Sequence, residues 1–176
     1  MQFKTISMML VVLLTAGFAT DAVSQSGKPK RSPAEKATGK IGNANVSIQY
    51  SSPSVRGRKI WGELVPYGKV WRAGANEATL LETDKDLMVE GKKLAAGKYS
   101  VYAIPGEQEW QIIFNTQTGQ WGVERNGDTT RKPEKDALVV SVKPHAAAMA
   151  ENLKYQITGN GFSLLWDKLE IPVTVK

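Results

Sequence analysis

Apolar and polar residues alternate with a period of two along most of the chain from Ile41 onward. The pattern is clearest in three segments in which every second residue is Val, Ile, Leu or Tyr: 46–50, 138–143 and 153–157. This period places alternate side chains on opposite faces of an extended chain, so each segment is predicted to be a half-buried β-strand. Further strands are predicted at 78–83, 87–90, 98–104, 110–115, 162–166 and 171–175.

Turn-forming sequences rich in Gly, Asn, Asp and Pro separate many of these segments. About nine short strands without a long segment of helical period indicate an all-β fold. We expect an antiparallel β-sandwich of the Ig-like, Greek-key type, with one short helical turn near residues 60–64. Tyr99 follows Gly97 at the start of a predicted strand. This spacing is typical of a tyrosine corner, although an ordinary tyrosine at a strand start has the same local sequence.

The N-terminal residues have the pattern of a secretory signal peptide. Lys4 precedes an apolar run over 6–18 that is shorter than the roughly 20 residues of a membrane span. Small residues at the −3 and −1 positions allow cleavage after Ala19, Ala22 or Ser24. We expect cleavage after Ser24, which makes residues 1–24 the signal peptide and the protein periplasmic or extracellular. An uncleaved N-terminal anchor is the alternative.

Residues 25–40 contain five Lys or Arg residues, one Glu and no large apolar side chain. This composition predicts a flexible basic linker, followed by one β-sandwich domain over 41–176. The positive charge of the linker would hold the protein near an anionic envelope surface, or it would only keep the N-terminus solvated.

The composition excludes several classes of enzyme. The chain has 176 residues, a formal net charge of +6, no Cys and a single His. Disulfide scaffolds, Cys/His zinc sites and cysteine nucleophiles are therefore absent, and no cofactor or metal motif is recognised. A Ser/His/Asp triad would need His145, and no Gly-x-Ser-x-Gly motif is present. These features therefore identify no catalytic residue. His145 is expected to be a solvated loop residue.

Polar and aromatic residues are densest over 59–79. In a functional interpretation, small residues let a ligand approach the backbone, and Trp71 offers it a flat apolar face. Arg72 and Asn76 then donate hydrogen bonds to the ligand, and Glu77 accepts one. In a structural interpretation, the tryptophans belong to the core, Arg72 pairs with Glu77, and Asn76 caps a turn. Two residues further along the chain, Asn115 and Trp121, are candidates to complete a ligand-binding cleft with Trp71. The alternative is that they only close the sandwich.

The same segment carries a family resemblance. The residues that carry it are the run Lys59–Thr79 and the later Gly97-Lys98-Tyr99-Ser100, Ile104-Pro105-Gly106, Trp110 and Asn115. On these residues, the chain resembles the DUF2911 family over about Ser32 to Val175. The resemblance implies an exported bacterial protein, and the family has no established activity. It therefore supports the fold and the location and leaves the function open.

Two functions follow from these features. The leading hypothesis is an exported, non-catalytic binding or interaction module of the bacterial cell envelope whose partner is a glycan or an envelope protein. Nucleic acid is not expected as a partner, and no transmembrane segment is expected in the mature chain. The alternative is a small glycoside or ester hydrolase around Arg72, Asn76 and Glu77, with Glu77 as acid or base and Arg72 holding an anionic group.

Overall fold

The computed structural model describes residues 30–176, and the predicted signal peptide over 1–24 lies outside them. The described residues form ten strands and one 3-10 turn over Pro133–Lys135. The strands are β1 (Ala34–Ile41), β2 (Ala44–Ser51), β3 (Thr79–Thr83), β4 (Leu87–Val89), β5 (Lys92–Leu94), β6 (Gly97–Ile104), β7 (Trp110–Asn115), β8 (Asp136–Val142), β9 (His145–Thr158) and β10 (Gly161–Thr174). No helix within residues 30–176 has the length and apolar character needed to cross a membrane.

The larger layer is a six-stranded antiparallel sheet with the strand order β1-β2-β3-β6-β7-β8. Its inner face follows the predicted alternation, because Val46 and Ile48 of β2 are buried while Asn45 and Gln49 are exposed. Both faces of β6 are buried over 99–103. The alternating pattern thus identifies the inner face of β2, whereas β6 is also covered on its outer side.

The second layer consists of a long β9–β10 ribbon and the short β4–β5 hairpin. The residues that follow β10 join the two parts, because the backbones of Met88 and Lys176 exchange hydrogen bonds of 2.9 and 3.0 Å. Buried side chains of both layers form a single core. The predicted all-β antiparallel sandwich is therefore confirmed.

Three details of the secondary structure differ from the prediction. The segments predicted at 162–166 and 171–175 belong to one irregular strand, β10, and β5 is an additional short strand. The predicted helical turn near 60–64 is wrong. The chain instead closes a loop in which the Val65 N–H donates to the Ile60 carbonyl at 2.9 Å, and Gly62 has a φ of 84° that a right-handed helix does not allow.

The prediction of a flexible linker over 25–40 is wrong from Ala34 onward. Residues 34–41 form β1, which pairs along its whole length with β2. Before Ile41, the inward positions carry only small residues, Ala37 and Gly39, so the segment lacks the apolar signal of a strand. Pairing with β2 and close packing of Gly39 on Ile157 of β9 hold it in place instead.

The tyrosine corner is present at the start of β6. The Tyr99 hydroxyl donates to the Ala95 carbonyl oxygen at 2.9 Å, and Gly97 between them has a φ of 155°. A side chain at that φ is disfavoured, which explains the glycine. The hydrogen bond fixes the backbone where the chain enters the central strand of the large sheet.

Candidate functional site

The connection between β2 and β3, residues 52–78, carries most of the residues selected from the sequence. It is tied to β6 because the backbones of Trp71 and Ala103 exchange hydrogen bonds of 2.7 and 2.8 Å. The chain then turns at Ala73, which has a φ of 51°. The Ala73 carbonyl accepts a hydrogen bond of 2.8 Å from the buried hydroxyl of Tyr155. These contacts fix the backbone on both sides of the central Trp-Arg pair.

Four tryptophans from this connection and from both layers form one cluster. The ring centroids of Trp61 lie 5.0 Å from Trp110 and 5.6 Å from Trp166, each in an edge-to-face arrangement. Trp71 stacks on Trp166 with centroids 5.9 Å apart and ring planes 19° apart, and its Nε1 donates to the Gly74 carbonyl at 3.0 Å. Only Trp71 of the four is more than marginally exposed. The cluster therefore presents one rigid aromatic ring at the surface.

Arg72 extends from this cluster without a carboxylate partner among residues 30–176. The pair with Glu77 that the sequence suggested is not formed, since Glu77 pairs with Lys30. The Arg72 Nε is buried and has no hydrogen-bond acceptor, and burial lowers the pKa of its guanidinium. A Cβ on Gly122 would lie 2.1 Å from the Arg72 Cδ. The glycine thus leaves room for the arginine side chain to pass.

Two cavities adjoin at this point. We name the larger one, of about 540 Å³, the loop pocket and the smaller one, of about 310 Å³, the arginine pocket. Four residues line both of them: Leu64, Val65, Trp71 and Arg72. The loop pocket is completed mainly by Pro66, Lys69, Val70, Val123 and Asp128. The arginine pocket is completed mainly by Arg31, Ser32, Ser54, Arg56, Arg58 and Trp166. Together the two cavities form a groove, the Trp71 groove, with Trp71 and Arg72 at its centre.

Three other candidate residues contact the N-terminal segment of the chain itself. The Asn76 Nδ2 donates to the Ser32 carbonyl at 3.0 Å, and the Lys30 ammonium pairs with the Glu77 carboxylate. The same ammonium lies 5.4 Å from the ring centroid of Trp121. Asn76, Glu77 and Trp121 thus hold the segment that leads into β1, and none of them lines the Trp71 groove.

The electrostatics of Glu77 do not favour a general acid. The hydrogen bond from Lys30 is the main reason why the pKa of the Glu77 carboxyl is lowered from its ordinary value. The side chain is also 48% exposed. A general acid at neutral pH needs a raised pKa, so the carboxylate is in the wrong protonation state for that role.

Asn115 is buried at the end of β7 and makes only internal contacts. Its Nδ2 donates to the Lys132 carbonyl at 2.8 Å and to the Asp136 carboxylate at 2.7 Å. Its Oδ1 accepts from the Gln117 N–H at 3.0 Å. These bonds anchor the long connection between β7 and β8 against the sheet, and they occupy both ends of the amide.

The structure therefore places two of the six candidate residues, Trp71 and Arg72, in the groove, and it brings three others, Asn76, Glu77 and Trp121, together at the N-terminal segment. The groove also contains residues that sequence reasoning did not select: Arg31, Arg56, Arg58 and Trp166. Arg56 and Arg58 carry a weak local signal, since they flank Gly57 in a polar turn. Nothing local indicates that these positions meet, because the fold alone joins segments so far apart in the chain.

No group of three His, Cys, Asp or Glu side chains suited to a metal ion occurs within residues 30–176. His145 is exposed and begins β9, where the sequence predicted a loop. The groove itself offers guanidinium groups, hydroxyls and an aromatic ring. These groups are suited to binding, whereas they do not pair a nucleophile with a base.

The model of the DUF2911 family, described as a protein of unknown function, matches residues 32–175. Comparisons with curated proteins and with solved structures give no match. The matched region spans the described domain from just before β1 to the last strand, and it includes the whole Trp71 groove apart from Arg31. The chain therefore belongs to the DUF2911 family.

Proposed function

We propose that this protein is a non-catalytic binding module of the bacterial cell envelope that holds a glycan in the Trp71 groove. The observation that carries the proposal is the Trp71 ring, which is stacked on Trp166 and forms the wall shared by two adjoining cavities. A ring fixed in this way loses little conformational freedom on binding. Its apolar face suits the C–H faces of a sugar.

The form of the groove agrees with an extended ligand. The two cavities adjoin along four shared residues and measure about 540 and 310 Å³. Each lies within the size range of typical small-molecule sites, about 300–1,000 Å³. A chain of sugar units would place one unit in each cavity and cross Trp71 between them. Thr129 lines this path and carries a hydroxyl, whereas the Ser54 hydroxyl donates to the Asn152 Oδ1 at 2.6 Å and is left to act as an acceptor.

A glycan array combined with capture from envelope extract tests the proposal. We expect the purified protein to bind a defined set of glycans. In Trp71→Leu the affinity for those glycans should fall by about tenfold or more, because the flat ring is lost. Trp121→Ala is the matched control, since Trp121 is 48% exposed and lies outside the groove. Thermal unfolding of each variant checks that the fold is retained.

Two results would overturn the proposal. The first is silence in both the array and the capture, and the second is equal loss of binding in Trp71→Leu and Trp121→Ala. Recovery of proteins alone would replace the glycan by an envelope protein as the partner.

A further inference from the structure

The lining of the arginine pocket has an unusual charge. Four arginines contribute to it, namely Arg31, Arg56, Arg58 and Arg72, and none of its lining residues is Asp or Glu. Four other surface cavities of the described residues each include a carboxylate: Glu82 and Asp84, Glu35 and Glu77, Asp128, and Glu90 and Glu109. The arginine pocket thus differs from these four cavities in having four guanidinium groups and no carboxylate in its lining.

Two of the four guanidinium groups, those of Arg56 and Arg58, are held by backbone carbonyls, which carry no formal charge to compensate theirs. The Arg58 Nε donates to the Val55 carbonyl at 3.0 Å and its Nη2 donates to the Ser54 carbonyl at 2.5 Å. The Arg56 Nη2 donates to the Arg31 carbonyl at 3.2 Å. These bonds orient the groups in advance, so less side-chain freedom is lost when an anion binds.

One carboxylate, that of Glu151, adjoins the pocket residue Arg56. The Glu151 carboxylate accepts a hydrogen bond of 2.8 Å from the backbone N–H of Arg56. No ion pair joins a carboxylate to any of the four guanidinium groups within residues 30–176. Within the described residues, none of the four guanidinium charges is therefore neutralised by direct pairing with a carboxylate.

Arg72 gives the strongest indication that an anion completes this pocket. Its Nε is buried and has no acceptor within residues 30–176, so this N–H donor has lost hydration without gaining a hydrogen bond. A buried donor without a partner is costly, and a charged one is more costly still. An oxyanion in the pocket would supply the missing charge. Trp71 beside it would contact the sugar ring that carries the anion.

We propose that the arginine pocket is an oxyanion site and that the glycan bound in the Trp71 groove is an anionic one, whose phosphate or carboxylate group lies among Arg56, Arg58 and Arg72. Guanidinium groups recognise both oxyanions through paired hydrogen bonds. This inference rests on the proposed glycan-binding function and specifies the chemical class of the ligand.

Calorimetric titration of the purified protein with four probes tests the inference. The probes are glucose 1-phosphate, glucuronate, glucose and inorganic phosphate. We expect at least one of the two charged sugars to bind about tenfold more tightly than glucose. Its affinity should fall as sodium chloride is raised, because exposed charges are screened. Inorganic phosphate should compete with the charged sugar.

Three variants locate the site. Arg72→Gln should weaken binding of the charged sugar by about tenfold, and Arg56→Gln is a second test at an exposed position where folding is not at risk. Arg125→Gln is the matched control, since Arg125 is exposed and lines neither cavity of the groove. We expect Arg125→Gln to bind as the unmodified protein does.

A glycine substitution probes the same site without removing a charge. Gly122→Ala would place a Cβ 2.1 Å from the Arg72 Cδ and displace that side chain, so it should weaken binding as Arg72→Gln does. Gly159→Ala is its control, because a Cβ there meets nothing within 4 Å.

The failures of the two proposals are distinguishable. One result would overturn the oxyanion site and leave the proposed function intact. In that result, glycan binding depends on Trp71, shows no preference for charged sugars and is unchanged in Arg72→Gln and Arg56→Gln. If inorganic phosphate bound in an arginine-dependent way and no saccharide bound, the proposal that the ligand is a glycan would be overturned. That result would show that the pocket holds a free anion.

Discussion

Ala73 is the residue at which the connection beside the groove is most constrained. It is 1% exposed, and its φ of 51° lies in the left-handed region, which costs an L-residue about 1–2 kcal/mol. Its carbonyl accepts hydrogen bonds from the hydroxyls of Thr79 at 3.0 Å and Tyr155 at 2.8 Å. Burial raises the pKa of the Tyr155 phenol, which keeps this donor protonated. Long-range hydrogen bonds thus stabilise a turn that the local sequence does not favour.

Tyr155→Phe should lower the free energy of unfolding by about 1 kcal/mol, because it removes one of the two hydrogen bonds to the Ala73 carbonyl. Chemical denaturation measures the change. Tyr67→Phe is the control, since Tyr67 is 38% exposed and should show no loss. An equal effect of the two substitutions would contradict this role of Tyr155.

The Glu77 carboxyl should titrate below its ordinary value of 4.5, because Lys30 donates a hydrogen bond to its charged form. Since the folded pKa is lowered, the stabilisation from the pair is fully present above that ordinary value and is lost as the pH falls through the folded pKa. NMR titration of the Glu77 side-chain carbon measures the midpoint. Lys30→Gln should move the midpoint upward, and an unchanged midpoint would rule out the pair.

At the level of elements, β1 differs most from its prediction. The segment has the composition of a linker, yet it pairs with β2 in register from Ala34 opposite Ser51 to Ile41 opposite Ala44. A strand at the edge of a sheet gains its backbone hydrogen bonds from its neighbour, so it does not need large apolar side chains of its own. Composition alone therefore does not distinguish it from a flexible arm.

Gly39→Ala should destabilise the protein by about 1–3 kcal/mol, because a Cβ at this position would lie 2.8 Å from the Ile157 Cγ2 and 3.0 Å from its Cβ. Ile157 is branched at the Cβ and has little freedom to move away. Thermal or chemical unfolding measures the loss, with Thr38→Ala at the exposed neighbouring position as the control. Hydrogen exchange of the β1 amides should be slower than in a flexible peptide, and exchange at the peptide rate would contradict the strand.

At the level of the whole molecule, the proposed envelope location depends on residues outside the described structure. We expect the exported protein to lack residues 1–24, because a short apolar segment followed by small residues is typical of a cleaved signal peptide. Intact-mass measurement of protein recovered from the periplasm or the medium tests this. Retention of Met1 would contradict cleavage and favour the uncleaved anchor.

The sequence by itself determined the class of fold, the approximate positions of most strands and membership of the DUF2911 family, whereas it only suggested the tyrosine corner that the structure contains. Alternating apolar positions and turn residues act over a few neighbours, so their signal is local and readable. Only the tertiary structure decided that β1 is a strand and that Asn76, Glu77 and Trp121 hold the N-terminal segment.

The arginine pocket also depended on the tertiary structure. Arg31, Arg56, Arg72 and Trp166 lie up to 135 positions apart in the sequence and meet only because the two layers and the β2–β3 connection pack on one another. An unpaired charge is likewise not a local property. Whether a guanidinium finds a carboxylate is decided by residues distant in the chain, and at Arg72 the fold supplies none among the described residues.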